Sequence, residues 1–159
     1  MPASYGIDRR ATAGLLPWSA VVDQLVHARN YWVGTVHPAG RPHARPVWGL
    51  WLDNAFYFST DPASRTGRNL AAHPALVVHL ESGDDVVILE GTAEPITDTA
   101  LLTRVADAYE AEYAFRPDLT TPRYGVYRLR PRGVFAWREA AFSSTATRWV
   151  YGTRWAIAE

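Results

Sequence analysis

The chain has 159 residues, 16 basic and 16 acidic side chains, no cysteine and a hydrophobic share of 48%. That length fits one domain with its own core, and that apolar share excludes a disordered chain. Zero net charge removes any global attraction to nucleic acid or an anionic membrane, and the missing thiols exclude disulfides, thiolate nucleophiles and zinc–thiolate sites.

Residues 1–16 read as an N-terminal arm, 17–151 as the folded domain and 152–159 as a C-terminal tail. Ser19 is a candidate N-cap for a first helix with Val21, Val22, Leu25 and Val26 at helical spacing, ending near Asn30. Tyr31 to Val36 reads as a strand, followed by a turn at His37-Pro38-Ala39-Gly40. The next strand is expected to run unbroken from His43 to Leu52, with Pro46, Trp48, Leu50 and Leu52 on one face. Asp53-Asn54 predicts a tight hairpin turn into a strand from Ala55 to Ser59. Ser64 caps a short helix through Ala72, which Pro74 ends. Strands follow at Ala75 to Glu81 and Val86 to Ala93. Asp98 caps a third helix with Leu101, Leu102, Val105, Ala108 and Tyr109 on its apolar stripe. Tyr113 to Arg123 is a proline-bearing connection, Val126 to Leu129 and Val134 to Trp137 are two further strands, and Phe142 to Trp155 is an aromatic, arginine-rich tail. About seven short hairpin-linked strands with three helices predict a mainly β fold, an antiparallel barrel rather than a parallel sheet.

The first dozen residues lack the apolar run of a secretory signal, and no stretch reaches the roughly 18 apolar residues of a membrane span. A soluble cytoplasmic protein is therefore expected, with no membrane or nucleic-acid partner. The sequence contains no lysine, so every fixed cation is arginine; arginine suits bidentate recognition of phosphate and carboxylate, and coding bias explains the same fact. The clearest local pattern is Ser64-Arg65-Thr66-Gly67-Arg68-Asn69-Leu70 after the strand ending at Ser59-Thr60. A capped helix start offers unpaired N–H groups and partial positive charge to a phosphate. Arg65 and Arg68 share a face there, Asn69 is placed to orient the site, and Gly67 suits close approach of backbone to a ligand. The same run also reads as a solvated surface helix. Backbone around Pro46, Val47 and Trp48 is a candidate for the edge of a planar ring, or simply for barrel core. The five histidines lack metal-site spacing, so no metal site is expected, and no hydrolase elbow or nucleotide-phosphate loop is present.

Four stretches, GRPHARPVWGLWLDNAFYFST, SRTGRNLAAHP, VVHLESGDDVVILEGTAEPI and FAWREAAFSSTATRW, resemble in order and spacing the pyridoxamine 5'-phosphate oxidase-like flavin and deazaflavin oxidoreductases. The similarity is greatest to their actinobacterial branch, which uses the deazaflavin coenzyme F-420, and it spans about Trp18 to Tyr151. The resemblance implies a split β-barrel of the FMN-binding type, a homodimer with cofactor sites at the subunit interface, and hydride transfer from reduced F-420 to an activated double bond of a planar small molecule. It implies cofactor contacts from Pro46, Val47, Trp48, Ser59, Thr60, Ser64, Arg65, Thr66, Arg68, Asn69 and His79, with Arg148 and Trp149 near the interface or pocket. Thr66 stands where many relatives have lysine, and Arg41, Arg45 or Arg148 are candidates to replace that charge. The alternatives are an FMN-dependent enzyme on the same fold, a non-catalytic cofactor-binding protein, and a haem-handling barrel using His43 or His79. No particular catalytic side chain is singled out.

Overall fold

The computed structural model describes residues 13–119, 121, 123–152 and 155–158. Most of the expected arm (1–12) and part of the tail lie outside the described residues. The described strands form one antiparallel sheet: β1 Tyr31–Val36, β2 Pro42–Val47, β3 Gly49–Leu52, β4 Ala55–Thr60, β5 Ala75–His79, β6 Asp85–Pro95, β7 Gly125–Arg138, β8 Thr147–Tyr151 and β9 Trp155–Ile157. The order is β2-β1-β5-β6-β7-β4-β3, with β8 paired to β7 and β9 to β8. β2 and β3 stand at opposite ends of this order, yet Trp48 alone separates them in the chain. The sheet must therefore curl until its ends meet, giving a mainly β, split half-barrel.

The barrel interior is filled by residues such as Val33, Phe56, Phe58, Val78, Leu89, Leu129 and Trp149. The helix α1 (Trp18–His27) adds Val21 and Leu25 to this core. A second apolar layer lies where α3 (Thr99–Tyr113) covers the opposite face of β3 and β4, joining Val105, Ala106, Tyr109 and Tyr113 to Leu50, Ala55 and Tyr57. The helix α2 (Arg65–Ala72) packs near β1, and the short α4 (Phe142–Thr145) leads into β8.

Local signals fix several elements. Asp53 and Asn54 both take positive φ, 51° and 58°, as a tight right-twisted hairpin requires. Asp98 accepts from Leu101 N–H at 2.7 Å and Ser64 from Gly67 N–H at 3.1 Å, so both expected caps form.

Other expectations are corrected. α1 begins at Trp18 after Pro17, without a side-chain cap at Ser19, and ends at His27. The expected strand from His43 to Leu52 breaks at Trp48, because its two halves pair with different neighbours, β1 and β4. The two strands after α3 are one, β7. It stays continuous because Gly91 faces Pro131 while Glu90 faces Gly133, leaving Arg132 as an extra bulged residue. The tail supplies α4, β8 and β9, giving nine strands and four α-helices among the described residues. Leu16, in the expected arm, is buried and donates its N–H to Thr147 Oγ1 at 3.0 Å.

Candidate functional site

The barrel is split where β2 and β4 part. β3 follows β4 only as far as the Gly49–Phe58 pair, so Ser59 and Thr60 continue with β7 alone on their other side. β2 is an edge strand, whose outward backbone groups lack a ladder partner. Between them opens a cleft of about 430 Å³. Arg45, Val47 and Trp48 line it from β2 and the break, Ser59, Thr60, Asp61 and Ser64 from the end of β4 and the start of α2.

The α2 entrance is organised by short-range bonds. Thr60 Oγ1 lies 3.0 Å from Ser64 Oγ, which accepts from Gly67 N–H. The Arg68 guanidinium donates to the Ala63 carbonyl. Gly67 has a packing reason: a Cβ there would lie 2.5 Å from the Pro62 carbonyl oxygen and 2.6 Å from that of Asp61. Ser59 Oγ is buried without a hydrogen-bond partner, on a residue that lines the cleft. Such an orphan is costly unless a ligand or water completes it.

Basic groups extend outward from this entrance. Desolvation first, then the charges of Arg65 and Arg45, hold the His43 imidazole below its usual pKa. Desolvation and then Arg41, Arg65 and Arg68 do the same at His37. Arg41, Arg45, Arg65 and Arg68 thus act on one patch, and none forms an ion pair among the described residues.

The structure brings together Val47, Trp48, Ser59, Thr60 and Ser64 around the cleft, with the exposed Pro46 beside Val47 and Arg65 in the first turn of α2. Several other sequence candidates point elsewhere. Thr66 is buried, its Oγ1 3.4 Å from His43 Nε2. Asn69 is 1% exposed and donates to Thr35 Oγ1 at 3.0 Å, anchoring α2 to β1 rather than facing the cleft. Trp149 is 2% exposed and packs in the barrel core, edge-on to Trp18. His79 stacks on Trp32, and its Nδ1 lies 2.8 Å from the Leu80 carbonyl oxygen. Arg148 lies over the Phe135 ring and lines a different groove on the outer sheet face, with Gly34, Val77, Glu90 and Arg132. Among the described residues no cluster of metal-ligating side chains occurs, and no helix is long and apolar enough to cross a membrane.

Sequence reasoning missed the second wall. Tyr109, Phe115, Pro117, Arg123 and Tyr124, from α3 and the connection to β7, also line the cleft. The α3 tyrosines hold the break between β2 and β3. Tyr109 donates to the Trp48 carbonyl at 2.8 Å. Tyr113 Oη accepts from Gly49 N–H at 3.1 Å and lies within donating reach of the Gly49 carbonyl at 2.8 Å and the Arg29 carbonyl at 2.9 Å. Burial, then the neighbouring Tyr113 and Tyr31, pushes the Tyr109 phenol far above its usual pKa, so it remains a neutral donor. Its bond occupies one of the two acceptor positions of the Trp48 carbonyl. The signal for this wall was present in the spacing Tyr109 to Tyr113, one helical turn apart, but it reads equally as apolar stripe.

A sequence model described as pyridoxamine 5'-phosphate oxidase matches residues 18–138. A pyridoxine/pyridoxamine 5'-phosphate oxidase from Azorhizobium caulinodans is 39% identical over 126 residues, covering 76% of this chain and 55% of that protein. The chain thus spans about half the length of that curated relative, and less of others. Among solved structures, a pyridoxamine 5'-phosphate oxidase-related, FMN-binding protein from Nostoc punctiforme superposes with a TM-score of 0.63 at 20% identity, over 91% of this chain and 96% of that one. An F420 reductase superposes with a TM-score of 0.55 at 21% identity, over 70% of this chain and 94% of its own. These structural likenesses establish the split-barrel fold.

Proposed function

The chain belongs to the pyridoxamine 5'-phosphate oxidase family, and from that premise we propose that it is an oxidoreductase whose cleft holds reduced coenzyme F-420 against an activated double bond of a planar small molecule. The observation that carries this reading is the cluster of cations beside the cleft: Arg45 lines it, and Arg65, Arg68 and Arg41 surround the neighbouring His43 and His37. One phosphate needs one or two such groups at a helix start. The long acidic tail of F-420 needs a track leading away from the site.

The residues fit the cofactor. Ser64, Thr60 and the α2 N–H groups suit its phosphate, and the buried Ser59 hydroxyl has a hydrogen bond left to make. The free edge of β2 suits the polar edge of a flat ring. Arg45, beside the cleft, supplies the charge that Thr66 does not. When bound, the reduced deazaflavin supplies the hydride. The chain's own part is to align two flat partners and exclude water, and no side-chain nucleophile is required.

Two copies complete the site in this reading. Trp32, His79, Ile88, Phe135 and Arg148 form one continuous cross-strand row on the outer sheet face. A homodimer packed there carries Arg148 of one protomer toward the cleft of the other, which a single chain does not do.

FMN is the second reading, since the same helix start and strand edge suit it and the solved Nostoc punctiforme relative is described as FMN-binding. Titrating the purified protein with F-420, FMN and haemin separates the possibilities. Submicromolar F-420 binding with weak FMN binding is expected, and Arg65→Ala is expected to weaken F-420 more than FMN. FMN retained through purification, or equal losses for both ligands in the variant, would overturn the F-420 assignment. Tight haemin binding alone would overturn the redox reading.

A further inference from the structure

The cofactor reading leaves two features of the cleft unused, an exposed tryptophan and a cation on the wall opposite α2. Trp48 is 43% exposed, yet it is firmly held. Its ring stacks on Tyr113 at 4.7 Å with the planes 6° apart, and the Arg29 guanidinium lies 5.7 Å from both ring centroids. Its carbonyl is bonded by Tyr109. A ring so fixed loses little freedom when a ligand arrives, which favours binding. With one face against Tyr113, the exposure of Trp48 falls on the rest of the ring, in a cleft it shares with Phe115 (48% exposed) and Tyr124 (39%).

Arg123 lines the same cleft beside Tyr124 and has no ion-pair partner among the described residues. Asp61, the one acid among the lining residues, accepts from Ala63 N–H at 2.7 Å. Arg45 belongs to the α2 side, where it acts with Arg65 on His43. Arg123 is therefore left over by the cofactor, a planar fork suited to a carboxylate or a similar anion next to aromatic surfaces.

Resting on the reading that the F-420 ring lies along β2, we propose that the outer half of the cleft takes a planar aromatic acid, stacked on Trp48 and anchored through its anionic group by Arg123. Trp48 then sets the preference for flat rings and Arg123 the preference for charge.

The test is calorimetric titration of the full chain with naphthoate, its neutral analogue naphthamide, and the non-aromatic anion cyclohexanecarboxylate, with and without saturating F-420. Naphthoate is expected to bind at least tenfold tighter than either analogue, both preferences within the range of one charged hydrogen bond or one stacked ring pair plus its buried area. Arg123→Gln should abolish the preference over naphthamide while leaving naphthamide affinity unchanged. Trp48→Leu should abolish the preference over cyclohexanecarboxylate. Circular dichroism confirms folding, and the retained affinity for the third ligand serves as an internal control. Equal binding of naphthoate and naphthamide, or a charge preference that survives in Arg123→Gln, would overturn the proposal. So would competitive displacement of naphthoate by F-420, which would put Trp48 in the cofactor's own site. The intrinsic fluorescence of F-420 reports separately whether the cofactor binds. If it does not, the F-420 reading fails, and the naphthoate titrations of the protein alone still decide the roles of Trp48 and Arg123.

Discussion

Replacing Tyr113 by phenylalanine keeps the aromatic ring that stacks on Trp48 and removes only one oxygen. That oxygen accepts from Gly49 N–H and has a single hydrogen to give, to the Gly49 or the Arg29 carbonyl. Gly49 is buried and lies at the break, where neither β1 nor α3 offers a backbone partner for these groups. Leaving a buried donor unsatisfied costs about 1–3 kcal/mol, and losing the donated bond costs about 1 kcal/mol more. Tyr113→Phe is therefore expected to lower unfolding free energy by roughly 2–4 kcal/mol. Urea denaturation measures this directly, with an unchanged m-value showing that the native state stays compact. The exposed Tyr124→Phe is the control, expected within about 0.5 kcal/mol of the parent. A Tyr113→Phe loss no larger than that of the control would refute the claim that α3 tyrosines satisfy the backbone at the break.

Ser64→Ala removes the cap of α2 and is expected to cost about 1 kcal/mol of stability by thermal or urea unfolding; it should also weaken phosphate-bearing ligands, and unchanged F-420 affinity would count against the α2 entrance. Gly67→Ala is expected to destabilise by more than the usual glycine-to-alanine gain in a helix, because the new Cβ meets the Pro62 and Asp61 carbonyls; a stabilised variant would show that contact to be soft. Anion binding on the basic patch should be linked to proton uptake. In the free protein His37 and His43 are held below their ordinary pKa, so near neutral pH they are uncharged, and a bound anion raises their pKa values. F-420 affinity is thus expected to rise as pH falls from about 8 toward about 6, and calorimetry in buffers of different ionisation enthalpy should register proton uptake. A flat profile in the double variant His37→Gln/His43→Gln would confirm the source, whereas a flat profile in the parent would refute it.

Much of the fold was legible because its signals are local. Asp53-Asn54, Ser64 and Asp98 each act on backbone a few residues away, and each does in the structure what its side chain allows. The entrance of α2 and the β4 strand leading into it were legible for the same reason. The order of the four stretches that resemble the family points to the same split barrel that the strands form.

What sequence alone settled, then, was the Asp53-Asn54 turn, where α2 and α3 begin and that the strands form an antiparallel barrel, since those choices depend on neighbours within one turn or one pair. Tertiary structure alone decided where the long strand breaks, because alternation looks the same in a continuous strand and in two strands meeting at Trp48. It also decided which face of α2 is buried, sending Thr66 and Asn69 inward, and that Trp149 belongs to the core. The wall bearing Phe115, Arg123 and Tyr124 was likewise invisible in the sequence. It lies across the cleft from Trp48 only because α3 packs on the outside of β3 and β4, and that packing depends on residues far apart in the chain.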